Sequence, residues 1–365
     1  MHDKRKLFSI GYNHDCRSDL LDMCRLYKTH IRSVYFAWPS MGSGRGHTTS
    51  VTSRTEDDLI LELFQDLSRI CDLDISVDLL LNSSCFGELT SSTELMKKIS
   101  YIIDACQANG VPIDSVTTMS TIVAEHVKNN YDHIMIKCSV NNHSCSSPRQ
   151  LDILKNFYNG FYYNRDYNYD FETLKSVSDY CKHNNKELYL LANSGCFTDC
   201  PVRQLHQNTA AHMQEIISRQ DNLIKNVALC GSYLEYEQNR IDYLSFSNII
   251  RPEDICLWED YVDVIKLATR ASSNLREIVS AYVTRSYDGD LLSLTEPSHI
   301  FSYMPNIIDN KLIPNDYAKN RIRHQCGIKC NTCGHCSDVV KQALTTLTDV
   351  EWLQTHEQFL LHKSH

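Results

Sequence analysis

The chain has 365 residues, of which 42% are hydrophobic and 22% are charged, so it can form one large or two ordinary globular domains and is not a disordered chain. Acidic residues outnumber basic ones 45 to 36, and the net charge of −9 argues against general binding to nucleic acid or to an anionic membrane. We find no apolar run near the roughly 18 residues of a membrane span and no secretory signal, so we expect a cytoplasmic protein.

Short apolar runs alternate along the chain with helical patterns. Nine strands are predicted, at 7–12, 33–38, 75–81, 114–118, 133–140, 160–163, 187–192, 244–250 and 262–267. Seven helices are predicted between them, at 18–30, 56–71, 92–109, 120–130, 149–158, 171–184 and 206–225. Repeated β-α units imply a parallel sheet covered by helices. Eight or nine strands within roughly 270 residues favour a closed, TIM-like (β/α)8 barrel over a doubly wound sheet.

The alternation ends near residue 290, which divides the chain into two predicted parts. Residues 1–290 form the barrel, and residues 291–365 form a C-terminal extension. The extension contains three prolines, a cysteine-rich segment and an amphipathic pattern that predicts a helix at 337–347. We expect a bound metal to hold this part of the chain together.

Sixteen cysteines are the outstanding feature of the composition. Most are expected to be buried packing residues, but two groups are spaced like metal ligands. One is the pair Cys196 and Cys200, and the other is the run Cys326, Cys330, Cys333 and Cys336. Compact runs with spacers of two and three residues are typical of ferredoxin-type iron–sulfur ligation. Zinc is the alternative, although zinc sites more often pair two short knuckles across a long gap.

Polar groups follow most of the predicted strands. In a barrel of this kind, catalytic and binding residues lie at the C-terminal ends of the strands and in the loops just after them. Lys137, Arg165, Asn193 and Lys266 all occupy such positions, and the glycine-rich stretch at 42–46 predicts an active-site loop after the second strand. The cysteines beside Asn193 indicate that this rim holds a cofactor.

Segment 190–208 resembles a signature of the collagenase-like peptidase family of unknown catalytic type. The matching residues are Asn193, Gly195, Cys196, Cys200-Pro201, Arg203, His206 and Asn208. A second similarity is the segment 250–255, followed by a last strand that ends in Lys266 and then Arg270. The resemblance runs in order through most of residues 7–290. It implies a TIM-like barrel with a cysteine-bound 4Fe-4S cluster, as in the branch that serves anaerobic ubiquinone synthesis and oxygen-independent RNA hydroxylation.

Cys196, Cys200 and Cys230 are the predicted ligands of this cluster. The fourth ligand stays open between Cys16, Cys85, a cysteine of the C-terminal run and none, and the last option would leave one iron available to substrate. The four C-terminal cysteines form a second cluster in one interpretation. In another, one of them completes the first cluster. One or two 4Fe-4S clusters are therefore expected.

The remaining site residues follow from their positions around the cysteines. The residues predicted to act in catalysis are His206, Arg203, Lys266 and Arg270. Those predicted to bind substrate are Asn193, Lys137, Arg165 and Asn208. Arginine and lysine side chains collected in an acidic protein suit a carboxylate-bearing small molecule or peptide. The alternative is that Arg203 and Arg270 form ion pairs with Glu253 or Asp254.

Three functions compete at this point. The first is an iron–sulfur enzyme that performs oxygen-independent hydroxylation, or a related redox modification, on an anionic metabolite or peptide of a biosynthetic pathway. The second is a peptidase, although neither a Ser-His-Asp order nor an H-E-x-x-H motif is present. The third is a non-catalytic iron–sulfur subunit that transfers electrons or senses redox state. An electron donor or protein partner is expected in the first and third, and no nucleic-acid or membrane partner in any.

Overall fold

The computed structural model describes residues 7–44, 55–218, 228–323 and 330–361. Eight parallel strands close a barrel in chain order, and the last pairs with the first. The strands are β1 (Phe8–Gly11), β2 (Ile31–Ala37), β3 (Ser76–Leu81), β4 (Ser115–Thr118), β5 (Met135–Cys138), β6 (Gly160–Tyr162), β7 (Glu187–Leu191) and β8 (Val264–Lys266). The predicted TIM-like (β/α)8 fold is confirmed.

Helices cover the outside of the barrel and bury their apolar faces against it. Those of the barrel are α1 (Arg17–Leu26), α2 (Glu56–Cys71), α3 (Thr93–Ala108), α4 (Thr121–Asn130), α5 (Pro148–Leu154), α6 (Phe171–His183), α7 (Arg203–Ala211), α8 (Met213–Ser218), α9 (Leu229–Leu234), α10 (Glu237–Arg240), α11 (Tyr243–Phe246) and α12 (Leu275–Thr284). Helix α2 has the predicted bounds because Thr55 and Asp58 form a capping box at its start.

Two predictions between β7 and β8 are wrong. The strand predicted at 244–250 is replaced by the short helix α11 and an extended segment that follows it. Its apolar residues Leu244 and Ile249 belong to a second hydrophobic core rather than to the barrel sheet. The single helix predicted at 206–225 is divided, because α7 ends at Ala211 and α8 begins at Met213.

The C-terminal extension has a hydrophobic core of its own. It contains α13 (Ile300–Tyr303), β9 (Asn306–Ile308), α14 (Tyr317–Arg323), α15 (Cys330–Cys333), α16 (His335–Ala343), β10 (Leu344–Thr346), α17 (Asp349–Thr355) and α18 (Glu357–Leu361). The helix predicted at 337–347 ends at Ala343, because the next three residues pair with β9 as an antiparallel strand. Apolar residues of the extension pack with Leu234, Tyr243 and Leu244, which joins the extension to the β7–β8 connection.

The interior of the barrel is polar near its centre. The Lys137 ammonium lies 3.4 Å from the Asp78 carboxylate, and the Thr117 hydroxyl donates to that same carboxylate. Lys266, the last residue of β8, places its amine 3.7 Å from the centre of the Tyr35 ring. These side chains lie beneath the C-terminal mouth of the barrel. No helix within the described ranges has the length and apolarity that a membrane crossing requires.

Candidate active site

A cavity of about 700 Å³ opens at the C-terminal mouth of the barrel. Its wall combines residues that follow β7, one face of α7, the start of α9 and the segment 295–299 of the extension. Cys196, Cys200 and Cys230 all line it. The three cysteines predicted to bind one cluster are therefore brought to one cavity, although Cys230 lies thirty positions after Cys200 in the sequence.

The backbone around Cys196 explains how the chain delivers these thiols. Gly195 donates its N–H to the main-chain oxygen of Glu296, and a Cβ on Gly195 would lie 2.1 Å from the main-chain oxygen of Pro297. Only glycine permits this close approach between the end of β7 and the extension. Asp199 has a φ of 47°, a left-handed conformation that turns the chain between Cys196 and Cys200.

The electrostatics of the cavity disfavour bare thiolates at Cys230. Burial, and then the nearby Cys196 and Cys200, raise the pKa of Cys230 to about 11. The thiol is therefore protonated at neutral pH unless positive charge displaces the proton. A metal centre supplies such charge, since thiolate is the form of cysteine that binds metal.

The donor set fits a cluster better than a single ion. Within the described ranges, no group of three or more His, Cys, Asp or Glu side chains is arranged to hold one metal ion. The thiols of an iron–sulfur cluster bind different iron atoms, so they are farther apart than the ligands of a single ion. Three thiols spread over one cavity wall are compatible with the first arrangement and not with the second.

Arg203 and His206 lie on the face of α7 that lines the cavity, as their three-residue spacing predicts. Arg203 donates to both carboxylate oxygens of Asp166 and, at 2.5 Å, to the main-chain oxygen of Phe197. The alternative pairing of Arg203 with Glu253 or Asp254 is wrong. Asp254 instead pairs with Arg251 at 2.7 Å, and the Glu253 carboxylate accepts from the main-chain N–H of Tyr287.

Arg165 also lines the cavity, and a histidine that the sequence analysis did not select lies beside it. His143 accepts from Arg203 through Nδ1 at 3.3 Å and contacts the Gln207 amide at 3.1 Å. Burial, followed by the charges of Arg165 and Arg203, lowers the pKa of His143 to about 4. The imidazole is therefore neutral at neutral pH. It follows β5, and its position on the barrel rim was the available signal.

The extension contributes two further residues that the sequence analysis missed. Glu296 lines the cavity and forms a bridge with Ser194 at the end of β7. His299 also lines the cavity, and its Nε2 donates to the main-chain oxygen of Gly195 at 3.0 Å. Both lie beyond residue 290, where the β-α pattern has ended, so strand-end reasoning could not select them.

The other predicted site residues lie next to the cavity but are not part of its lining. Lys137 and Lys266 are inside the barrel, beneath the mouth, and Arg270 donates to the Ser43 hydroxyl at 2.9 Å. The Asn193 amide donates to the main-chain oxygens of Ala268 and Leu294 and accepts from the Ala268 N–H. Asn208 accepts from the Ser84 hydroxyl at 2.8 Å, on the side of α7 that faces away from the cavity.

Burial also changes the chemistry of Lys266. Its removal from water lowers the pKa of its amine to about 7, with the charges of Arg270 and Lys137 acting in the same direction and the Asp78 carboxylate opposing them. An amine with this pKa has a large neutral fraction at neutral pH. It can accept a proton, which is the ability that a catalytic role requires.

The C-terminal cysteines are dispersed. Cys336 is buried in the core of the extension, where the Tyr317 hydroxyl donates to its sulfur at 3.7 Å, whereas Cys330 and Cys333 are exposed. Cys326 lies outside the described residues. Of the other candidates for a fourth ligand, Cys16 donates weakly to the main-chain oxygen of Ser272, and Cys85 lies behind α7. Neither lines the cavity.

Comparison with known proteins supports the resemblance seen in the motifs. No family model matches the sequence. An uncharacterized protease of Methanocaldococcus jannaschii is 23% identical over 356 residues, which cover 93% of this chain and 99% of the relative. The solved structure of a U32 peptidase superposes with a TM-score of 0.50 at 12% identity, over 73% of this chain and 93% of the other, and shares the barrel fold. The chain belongs to the collagenase-like peptidase family, U32.

Proposed function

We propose that this protein is an iron–sulfur enzyme that performs an oxygen-independent hydroxylation, or a related redox modification, on an anionic small molecule or peptide. The observation that supports the proposal is the meeting of Cys196, Cys200 and Cys230 on one cavity whose wall also carries Arg165 and Arg203. Thiol ligands beside guanidinium groups suit a cluster next to a carboxylate-bearing substrate.

A 4Fe-4S cluster on the three cysteines would supply electron transfer and, at an iron without a cysteine ligand, Lewis acidity. The remaining work falls to the side chains of the cavity. Arg203 is held by Asp166 and by the Phe197 carbonyl, so its guanidinium is fixed in place rather than mobile. Arg165 is the second guanidinium on the wall and the better candidate to bind a substrate carboxylate.

Proton transfer in the cavity falls to His206, which lies one helical turn from Arg203. His143 is less suited to donate a proton because its pKa is lowered to about 4, so it serves as a neutral acceptor that orients Arg203. The Glu296 carboxylate, contributed by the extension, sets a negative group opposite the arginines and favours a substrate with one anionic end.

The direct experiment is anaerobic purification followed by measurement of iron and acid-labile sulfide per chain and an absorption spectrum near roughly 400 nm. We expect about four irons for a single cluster. Cys196→Ala, Cys200→Ala and Cys230→Ala should each lose most of this iron. Cys256→Ala, at an exposed cysteine, is the matched control and should retain it. Colourless, iron-free protein that is still active would refute the proposal.

Two further measurements separate the alternatives. Cys333→Ala should leave the iron of the first cluster in place if the C-terminal run binds a second one, and should reduce it if the run completes the first. Zinc in place of iron would support the zinc interpretation. The relatives are named as a protease and a peptidase, so a peptidase is the second candidate. Peptide cleavage that survives removal of iron would favour it, whereas iron without turnover of any carboxylate substrate would favour an electron-transfer subunit.

A further inference from the structure

We propose that Cys85 is the nucleophile of a second site, one for acyl transfer, in which His212 is the general base and Glu215 orients the imidazole. The ligand class is an activated acyl group, such as a thioester or an aryl ester. The proposal does not depend on the iron–sulfur cluster. It rests on a separate cluster of side chains on the far side of α7.

The three side chains form a continuous chain of contacts. Nδ1 of His212 lies 2.5 Å from Oε2 of Glu215, and the His212 ring also hydrogen-bonds the Cys85 thiol. The main-chain N–H of Gly87 donates to the Cys85 sulfur at 3.3 Å. A nucleophile in contact with a base, which is itself oriented by a third group, is the arrangement that activates cysteine in acyl transfer.

The backbone holds this arrangement in place. Gly87 has a φ of 58°, and a Cβ there would lie 3.3 Å from Cε1 of His212, so the glycine allows both the turn and the close approach of the ring. His212 is at the junction of α7 and α8, and Glu215 follows it by three positions on α8. The ion pair therefore joins neighbouring residues of one helical turn.

The charges around Cys85 favour the thiolate. The hydrogen bond from His212, followed by that from the Gly87 N–H, lowers the pKa of the Cys85 thiol, while partial burial and the Glu215 charge oppose this change. The Cys85 contact and Glu215 raise the pKa of His212, although burial opposes them. By contrast, burial raises the pKa of Cys24 and of Cys106 to about 12.

The site is distinct from the cavity and open to solvent. Arg203 and His206 face the cavity from α7, whereas Asn208 on the same helix contacts Ser84, next to Cys85. Cys85 is partly exposed, and the His212 side chain is 25% exposed. A small electrophile can therefore reach the sulfur without entering the cavity, and reactive cysteines combine such access with stabilised thiolate.

The reaction has two balanced steps. The Cys85 thiolate attacks the acyl carbon, the new carbon–sulfur bond forms as the bond to the leaving thiolate or alkoxide breaks, and the His212 imidazolium gives that leaving group a proton. Water then attacks the enzyme thioester, and neutral His212 takes the proton from this water. The carboxylic acid is released and the Cys85 thiolate is regenerated, so no oxidant or reductant is consumed.

The probe is p-nitrophenyl acetate, added to the protein as purified, with p-nitrophenolate release followed by absorbance and acetylation of each cysteine followed by mass spectrometry. Wild type should show a burst of about one p-nitrophenolate per chain, with Cys85 acetylated first. Cys85→Ser should abolish the burst, and Cys256→Ser should not change it. His212→Gln should slow acetylation of Cys85 at least about tenfold at pH 7 and move its pH profile toward that of an ordinary thiol, near about 8.5.

Folding is checked by circular dichroism, and the pH profile separates a chemical effect from a structural one. Glu215→Gln should slow acetylation a few-fold, because the imidazole loses its orienting partner. The proposal fails if Cys85 reacts no faster than Cys256, or if folded His212→Gln keeps the wild-type pH profile. It also fails if Cys85→Ser loses iron, since Cys85 would then be a cluster ligand.

Discussion

Lys266 offers a quantitative test of the barrel interior. Its amine has an ordinary pKa of 10.5 and, when buried in the folded protein, a pKa of about 7. Below pH 7 the amine is protonated in both states, so the folded state carries the full cost of burying the charge. That difference in pKa corresponds to a cost on the order of 5 kcal/mol.

The sign of the pH dependence follows directly. Between pH 7 and pH 10.5 the unfolded amine still binds a proton that the folded amine has released. The unfolded state therefore binds more protons, and the free energy of unfolding rises with pH across this range. From pH 7 to pH 9 the contribution of Lys266 should increase by about 2 kcal/mol. The contact between its amine and the Tyr35 ring acts against this trend, because that contact is strongest for the cation.

The assay is urea unfolding of wild type and Lys266→Met at several pH values from 7 to 9. Methionine keeps the length of the side chain and its packing on Tyr35 but carries no charge. The free energy of wild type minus that of Lys266→Met removes the titration of all other groups, and it should rise with pH by the amount given above. Lys97→Met, at an exposed position of α3, is the control and should leave the wild-type slope unchanged. Parallel pH curves for wild type and Lys266→Met would refute the reasoning.

Three further predictions concern the site and the extension. Asp166→Asn should lower the free energy of unfolding by about 3 kcal/mol in urea titrations, because it leaves the buried Arg203 without its carboxylate partner, whereas Asp152→Asn in an exposed pair should change little. His356→Ala should cost about 3 kcal/mol in the same assay, since the fully buried Asp290 carboxylate loses its 3.1 Å partner. Gly195→Ala should lower the iron bound per chain, because the added methyl forces the Cys196 backbone away from the extension.

The barrel could be predicted from the sequence because each β-α unit carries its own pattern. The buried strands are short apolar runs, and the helices show apolar residues at three- and four-residue spacing, so both signals are local. The segment 244–250 failed for the same reason. Leu244 and Ile249 are apolar like strand residues, but they are buried by the extension, and a contact with residues so far along the chain leaves no periodic signal.

The candidate site divides along similar lines. Cys196, Cys200, Arg203 and His206 occupy one short segment, so one turn and one helix face were enough to bring them to the same wall. Their partners come from elsewhere. Asp166 follows β6, and no spacing rule connects a loop carboxylate to an arginine 37 positions later. Glu296 reaches the cavity only because the extension pairs with the end of β7.

The two groups of cysteines illustrate opposite electrostatic solutions around one helix. On the cavity side of α7, burial and neighbouring sulfurs raise the pKa of Cys230, so its thiol keeps the proton until a metal displaces it. On the other side, His212 and the Gly87 N–H lower the pKa of Cys85 without any metal. A thiol reagent at neutral pH should therefore label Cys85 well before Cys230 in metal-free protein. Equal labelling would show that the local charges, and not mere exposure, have been assigned wrongly.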